Sequence, residues 1–171
     1  MGRVDAWRHC PKCGGDVSPD RGRVECAACG FVAYSTSEPT ACALVEDGAG
    51  RLLLARRARD PHAGSWDLPG GFVEEGEHPL EALRRELREE TGLEVAPGEF
   101  VGVWLDRYGE ADDATTTLNL YWTAVPEGGE LEPADDVSEL RWFAPAELPP
   151  DDQIGFANVR QVLRAWRARR P

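Results

Sequence analysis

The feature that most constrains this 171-residue chain is a fixed spacing of charged residues and glycines between residues 71 and 93. It follows the pattern G-x5-E-x7-R-E-U-x-E-E-x-G-U, in which U is a bulky aliphatic residue. At about 7% usage per residue type, chance agreement at the seven invariant positions is on the order of 10⁻⁸ per starting point. The spacing therefore indicates a functional site. The invariant positions are Gly71, Glu77, Arg85, Glu86, Glu89, Glu90 and Gly92.

The middle of this segment predicts a helix from Pro79 to Thr91. Proline suits the first helical turn, where its missing N–H would have no partner. Gly92 suits a left-handed stop just past the last turn. Leucines spaced by three and four residues predict an apolar stripe that faces the core. The stripe consists of Leu80, Leu83 and Leu87.

Glu86, Glu89 and Glu90 should lie along one edge of this helix. Crowded like charges cost about 0.2–0.5 kcal/mol per pair on an exposed helix. A hard divalent cation offsets that cost, and carboxylate oxygens are the ligands that Mg²⁺ takes. The alternative is a solvated charged face paired with neighbouring arginines, which the complete spacing pattern disfavours.

The segment from Gly71 to Leu93 resembles the signature of the Nudix hydrolases at every fixed position. The resemblance implies an α/β fold, an α/β/α sandwich with a mixed sheet, and Mg²⁺ or Mn²⁺ as cofactor. It implies that Glu86, Glu89, Glu90 and the carbonyl of Gly70 bind this metal. It also implies that Arg85 orients the catalytic Glu86, that Glu90 is catalytic, and that Glu77 braces the loop. An acid that merely stabilises the start of the helix is the alternative for Glu77.

Nudix enzymes often take one further acid from outside this signature. The stretch before Trp142 offers Asp135, Asp136 and Glu139, of which Asp136 or Glu139 is favoured as a catalytic residue. A solvated loop is the alternative for each, because acidic clusters usually lie on the surface.

Three residues before the signature are candidates for substrate binding. Arg56 and Arg57 end a predicted strand and could reach a phosphate, although a surface ion pair is the alternative for at least one of them. Trp66 could stack on a base, and so could Trp104, Tyr108 and Phe156. Each of these aromatic residues could equally belong to the core.

Two C-x2-C-G motifs near the N-terminus predict a zinc ribbon in residues 1–36, followed by a Nudix hydrolase domain in residues 37–171. Disulfides would need an oxidising compartment, and MGRVDAWRHC has no apolar signal segment. A redox motif would be expected once, beside a βαβ pattern. The adjacent His9 is expected to be an ordinary surface residue, and Cys42 a buried small apolar residue. The predicted zinc ligands are Cys10, Cys13, Cys26 and Cys29.

The formal net charge of −12 disfavours general nucleic-acid binding. No run approaches 18 apolar residues, so no membrane helix is expected. The thiol-rich motif and the lack of a targeting signal favour the cytoplasm. The expected partner is a small-molecule nucleotide substrate. Many Nudix proteins form dimers, which leaves a homodimer open.

Strand-like runs flank the predicted helix, and the periodicity of Val159, Val162, Leu163 and Trp166 predicts a C-terminal amphipathic helix. An acidic loop is predicted at residues 109–114. Strands before and after one central helix indicate a mixed sheet covered on both faces. The predicted strands are Thr40–Val45, Arg51–Ala55, Leu93–Val95, Phe100–Tyr108, Thr116–Val125 and Arg141–Ala144.

The Nudix resemblance implies cleavage of a diphosphate linkage in a nucleoside diphosphate derivative, with ADP-ribose or a similar nucleotide sugar as the first expectation. A ribbon joined to a Nudix domain is also similar to NADH pyrophosphatases, including those that remove NAD caps from RNA. Those enzymes carry an S-Q-P-W-P-F-P-x-S run after the signature, and residues 94–117 contain nothing like it. The alternatives are therefore an NADH or NAD-cap pyrophosphatase, a nucleoside triphosphate pyrophosphohydrolase, and a nucleotide-binding regulatory domain without activity.

Overall fold

The computed structural model describes residues 3–109 and 114–168. The chain divides into two compact units. The first comprises Met1–Glu38 with Arg107–Thr116, and the second comprises Pro39–Asp106 with Thr117–Pro171. The predicted ribbon, residues 1–36, falls within the first unit, and its role as a separate domain stays a prediction. The predicted acidic loop lies largely outside the described residues.

The first unit is held by a short hairpin and a small core. A 3-10 turn at Arg3–Ala6 is followed by β1 (Arg23–Glu25) and β2 (Val32–Tyr34), which pair antiparallel. Two buried cysteines contribute to the core beside aliphatic side chains, so the motif both carries thiols and supplies apolar volume. The buried members are Val4, Cys10, Val17, Val24 and Cys26.

Nearly all of the remaining regular structure belongs to the second unit, where two sheets are formed. One has the strand order β6-β3-β8-β7 and the other β5-β4-β9. A 3-10 turn at Asp151–Gln153 precedes the last helix. The elements are β3 (Glu38–Val45), β4 (Leu52–Arg57), β5 (Trp66–Asp67), β6 (Gly70–Phe72), α1 (Pro79–Thr91), β7 (Leu93–Tyr108), β8 (Thr115–Gly129), β9 (Val137–Phe143) and α2 (Ala157–Ala168).

Helix α1 has the predicted bounds, and both of its ends are capped. The Leu80 N–H donates to Nδ1 of His78 at 3.2 Å, and the His78 N–H donates to the Glu81 carboxylate at 3.4 Å. This capping box was not predicted, because histidine is an uncommon cap. Gly92 adopts φ 71° and donates to the Arg88 carbonyl at 3.0 Å, which confirms the predicted glycine stop.

The core lies on both sides of the four-stranded sheet. On one face, Leu83 and Leu87 of α1 pack with alanines and valines of β3. On the other face, the amide of Asn158 in α2 donates to the hydroxyl of Tyr121 in β8 at 2.9 Å. The indole N–H of Trp166 donates to Glu46 at 2.7 Å, which fixes the far end of α2. This helix–sheet–helix arrangement confirms the predicted α/β/α class with a mixed sheet.

Several strands are longer than predicted. The two predicted runs after α1 form one strand, β7, which passes through Pro97 and Gly98. Proline is tolerated there because β7 is an edge strand. The strands β5 and β6 were not predicted, because two or three residues carry no periodicity. Across residues 3–109 and 114–168, neither helix has the length and apolarity needed to span a membrane.

Candidate active site

Two glycines bring the segment before α1 into contact with both the sheet and the helix. In β6, Gly70 pairs with Cys42 and Gly71 with Ala41 of β3. Gly70 has φ 135°, and a Cβ there would lie 2.5 Å from the Cys42 Cα. A Cβ on Gly71 would lie 2.5 Å from the Glu86 carboxylate. Only glycine permits this approach, which sets the β6 backbone directly against the acidic edge of α1.

Arg85 ties this edge together. Its Nε and Nη2 donate to the two carboxylate oxygens of Glu77, both at 2.9 Å. Nη2 also donates to the Phe72 carbonyl at 3.0 Å. Nη1 donates to Glu86 at 2.7 Å and to Glu89 at 3.4 Å. One planar guanidinium therefore links the loop to the helix and fixes one oxygen of Glu86.

The three helix glutamates differ in exposure. Glu90 is buried, and its carboxylate accepts the Gly70 N–H at 2.8 Å. Glu86 is half-buried and Glu89 is exposed. Burial raises the pKa of Glu86, and it raises the pKa of Glu90 well above its usual range, with neighbouring carboxylates adding to both shifts. A bound cation would remove that strain, so this oxygen-donor set fits a hard divalent metal.

The acids outside the helix divide into an inner and an outer group. Asp136 belongs to the inner group, because its charge acts on both Glu90 and Asp67. Glu139 belongs to the outer group, since it is exposed and pairs with Arg56 at 3.2 Å. Asp67 was not predicted, although it lies three residues before Gly70 in the sequence. Burial raises the pKa of Asp67 to about 7.

Asp135 also acts electrostatically on Glu86 and adopts φ 52°. No sequence signal separates it from Asp136, because both belong to one acidic pair. Only the backbone turn decides which carboxylate is directed towards the helix and which towards β4.

The three predicted substrate-binding residues lie near one another but in different environments. Arg56 is exposed, and its guanidinium carbon lies 5.9 Å from the centroid of Trp66. Arg57 is largely buried between Asp67 and Asp136. Trp66 is buried edge-to-face against Phe143, with centroids 5.0 Å apart, so most of its ring serves the core. Their binding roles stay predictions.

The other aromatic candidates are similarly engaged. Phe156 is buried and contacts His62 edge-to-face at 4.8 Å between centroids. Trp104 contacts Tyr121 in the same manner at 5.5 Å. These contacts favour the core alternative for both rings.

The four cysteines of the two motifs converge in the first unit. Their sulfur atoms all lie within 4.8 Å of one another, and within the described parts of the chain they are the one such group of potential metal ligands. The Sγ atoms of Cys10 and Cys29 are 3.7 Å apart, and those of Cys13 and Cys26 are 3.6 Å apart. These separations exceed a disulfide bond by far and approach the edge of about 3.8 Å expected for a tetrahedron with metal–sulfur bonds of about 2.3 Å.

The two halves of this cluster share one backbone geometry. The Gly14 N–H donates to the Cys10 carbonyl at 2.9 Å, and the Gly30 N–H donates to the Cys26 carbonyl at 2.8 Å. Both glycines are left-handed, with φ 74° and 71°. The fifth cysteine, Cys42, is buried in β3, as predicted.

The family model described as NUDIX domain matches residues 36–164. An ADP-ribose pyrophosphatase of Methanocaldococcus jannaschii is 36% identical over 99 residues, which cover 58% of this chain and 57% of that protein. An NAD-capped RNA hydrolase NudC of Stutzerimonas stutzeri is 31% identical over 172 residues, which cover 98% of this chain and 58% of that protein. A putative 8-oxo-dGTP diphosphatase 2 of Mycobacterium tuberculosis is 46% identical over 120 residues, which cover 66% of this chain and 81% of that protein.

Among solved structures, a NUDIX hydrolase from Nitrosomonas europaea superposes with a TM-score of 0.79 at 25% identity, covering 96% of this chain and 92% of that one. The chain belongs to the Nudix family. Members of this family are hydrolases of phosphoric anhydrides that use divalent metals such as Mg²⁺. The matched regions span only 57–58% of the length of the first two relatives.

Proposed function

We propose that this chain is a Mg²⁺-dependent pyrophosphohydrolase that cleaves the diphosphate linkage of a nucleoside diphosphate derivative, with ADP-ribose or a similar nucleotide sugar as substrate. One observation carries the proposal. Glu86 and Glu90 are held against the Gly70–Gly71 backbone by Arg85 and by the Gly70 N–H. The catalytic domain is residues 37–171.

Glu86, Glu89, Glu90 and the carbonyl of Gly70 would hold the metal. When bound, Mg²⁺ makes a water nucleophile available and neutralises charge on the phosphoryl oxygens. Arg85 keeps the Glu86 carboxylate oriented, and the Gly70 N–H does the same for Glu90. Asp136 is the better-placed additional acid, because Glu139 is paired with Arg56 on the surface.

Two lines support the choice of substrate class. A relative of 36% identity is named as an ADP-ribose pyrophosphatase. Residues 94–117 also lack the S-Q-P-W run expected of NADH pyrophosphatases. An alternative is NADH or NAD-capped RNA, which is favoured by the match to NudC over nearly the whole chain. A nucleoside triphosphate is the other alternative, favoured by the 46% identity to a putative 8-oxo-dGTP diphosphatase.

A substrate panel decides among these classes. ADP-ribose, NADH, NAD-capped RNA, dinucleoside polyphosphates and nucleoside triphosphates are incubated with the chain and Mg²⁺, and monophosphate or pyrophosphate release is measured. We expect ADP-ribose to be hydrolysed at least as well as NADH. A kcat/KM for NADH more than about 100-fold higher, or about 2.7 kcal/mol, would contradict the assignment.

Variants of the glutamates test the chemistry. Glu86→Gln and Glu90→Gln should each keep the circular dichroism spectrum and lose at least about 10²-fold in kcat, the scale of removing a main electrostatic contributor. Glu94→Gln is the matched control, because Glu94 is exposed and pairs with Arg88. Normal turnover in either test variant would refute the metal assignment. Nucleotide binding without any Mg²⁺-dependent release would instead support a regulatory domain.

We infer further that Cys10, Cys13, Cys26 and Cys29 bind one structural Zn²⁺. The near-tetrahedral sulfur separations and the two matching glycine turns support this ligand set. Hydrogen bonds from the Lys12 and Cys13 N–H groups outweigh the effect of burial and lower the pKa of Cys10 to about 7, which favours the thiolate that a metal requires. Four thiolates leave no open position for water, so this ion would have no part in hydrolysis.

A further inference from the structure

Two adjacent arginines at the end of β4 have different surroundings. The side chain of Arg56 is 46% exposed and pairs with the exposed Glu139, whereas the side chain of Arg57 is 12% exposed. A buried guanidinium requires partners on its donors, because an unpaired buried charge is costly. The contacts of Arg57 therefore show what it does in the fold.

Arg57 lies between two carboxylates and a ring. Its Nε donates to the Pro61 carbonyl at 2.7 Å, and Nη1 lies 3.4 Å from Asp67 Oδ2. Nη2 lies 3.8 Å from Asp136 Oδ2. The guanidinium carbon is 5.2 Å from the centroid of the Phe156 ring, which covers one of its faces. These contacts hold the guanidinium in one place from several directions.

The two carboxylates come from segments that lead into the active site. Asp67 ends β5, and three residues later Gly70 donates its N–H to Glu90. Asp136 precedes β9, and its carbonyl accepts the Ala58 N–H at 2.6 Å. Asp67 and Asp136 both act electrostatically on Glu90. Without a cation between them, the three carboxylates would repel one another and separate.

We propose that Arg57 is a positioning residue that holds the carboxylates of Asp67 and Asp136 beside Glu90, and so sets the location of Asp136 for the reaction. The proposal rests on the proposed hydrolytic function. It differs from a substrate-binding role for Arg57, because the guanidinium is directed at protein acceptors. Arg56, its neighbour, supplies the matched control.

The first measurement is Mn²⁺ binding without substrate, followed by calorimetry. Arg57→Gln removes a positive charge beside the acidic cluster, so Mn²⁺ should bind at least about threefold more tightly. Arg57→Lys should restore the wild-type affinity, because it restores the charge. Arg56→Gln should leave the affinity unchanged. Unchanged Mn²⁺ affinity in Arg57→Gln would overturn the proposal.

The second measurement is a double-mutant cycle in kcat and KM on the best substrate. Arg57→Gln should lower kcat at least about tenfold with KM within about threefold, and Arg57→Lys should recover only part of kcat, because an ammonium cannot bridge two carboxylates as a planar fork does. In an Asp136→Asn background, Arg57→Gln should cost less than about threefold. Additive losses, or a raised KM with normal kcat, would refute the positioning role.

Thermal melts establish that each variant is folded, and Arg57→Lys carries both measurements if Arg57→Gln does not fold. In that case an unchanged kcat in Arg57→Lys counts against the proposal, because the bridge would then be dispensable. A wild-type chain that hydrolyses no substrate would refute the proposed function separately. The Mn²⁺ measurement would then decide the inference alone, with tighter binding supporting it and unchanged binding refuting it.

Discussion

Two neighbouring glycine-to-alanine substitutions should separate activity from stability. At Gly71, the new methyl group would lie 2.5 Å from Cδ and Oε2 of Glu86. Carbon contacts settle at about 3.5 Å, so the carboxylate would have to retreat by about 1 Å. A misplacement of this size costs about 10²-fold in rate, or about 2.7 kcal/mol of transition-state stabilisation. The fold should tolerate the change, because the end of a glutamate side chain can move.

At Gly70 the obstacle is backbone rather than side chain. The methyl group would meet the Ala41 carbonyl and lie 2.5 Å from the Cys42 Cα, at φ 135°. Strain in this region costs about 1–3 kcal/mol before any shift of β3. With about 2–4 °C of Tm per kcal/mol for a chain of this size, Gly70→Ala should lower Tm by about 5 °C or more.

Differential scanning calorimetry and steady-state kinetics on the two variants supply the comparison. Gly48→Ala is the control, because a methyl group there meets no atom within 4 Å. We expect Gly71→Ala to melt within about 2 °C of the parent chain while losing about 10²-fold in kcat. Full activity in Gly71→Ala would refute the argument that contact with Gly71 fixes Glu86 in its working position. Equal loss of Tm in both variants would show that the two glycines act only on folding.

Three further outcomes are expected. The folded-state pKa of Asp67, about 7, exceeds the unfolded value of about 3.9, so the folded chain binds an extra proton between them; metal-free stability should fall as pH rises from about 4 to 7, by up to about 1.4 kcal/mol per unit, and Asp67→Asn should flatten urea-derived stability against pH. Elemental analysis should find one zinc per chain, lost in Cys26→Ser and retained in Cys42→Ser; zinc-free parent protein would exclude the site. Arg85→Lys should lose at least about tenfold in kcat, because an ammonium cannot grip both Glu77 oxygens and Glu86, and wild-type kinetics would show that the fork is dispensable.

The sequence predicts best where local chemistry and tertiary structure agree. Helix α1 begins and ends where Pro79 and Gly92 indicate, because both residues restrict the backbone by themselves. The four ribbon cysteines converge for the same reason, since each motif carries its own left-handed glycine. The alternation of Leu118 and Leu120 with Asn119 likewise predicts most of β8.

Sequence reasoning is weaker where a role depends on distant partners. Asp67 has no local signal, and its position behind Glu90 follows from the pairing of β4 with β5. The separation of Asp136 from Glu139 depends on the register between β4 and β9, which places Glu139 opposite Arg56 and Val137 opposite Arg57. The shift between these two pairs marks an irregularity in the strand that no sequence period reveals.

The Arg85 fork has a consequence for the ions around the protein. Its five N–H groups match the five contacts with Glu77, Phe72, Glu86 and Glu89, so every donor is directed at the protein itself. A diphosphate entering this acidic site would find that cation already committed. Electroneutrality would then have to come from dissolved magnesium, and turnover should follow the free magnesium level of the surroundings as closely as it follows the supply of substrate.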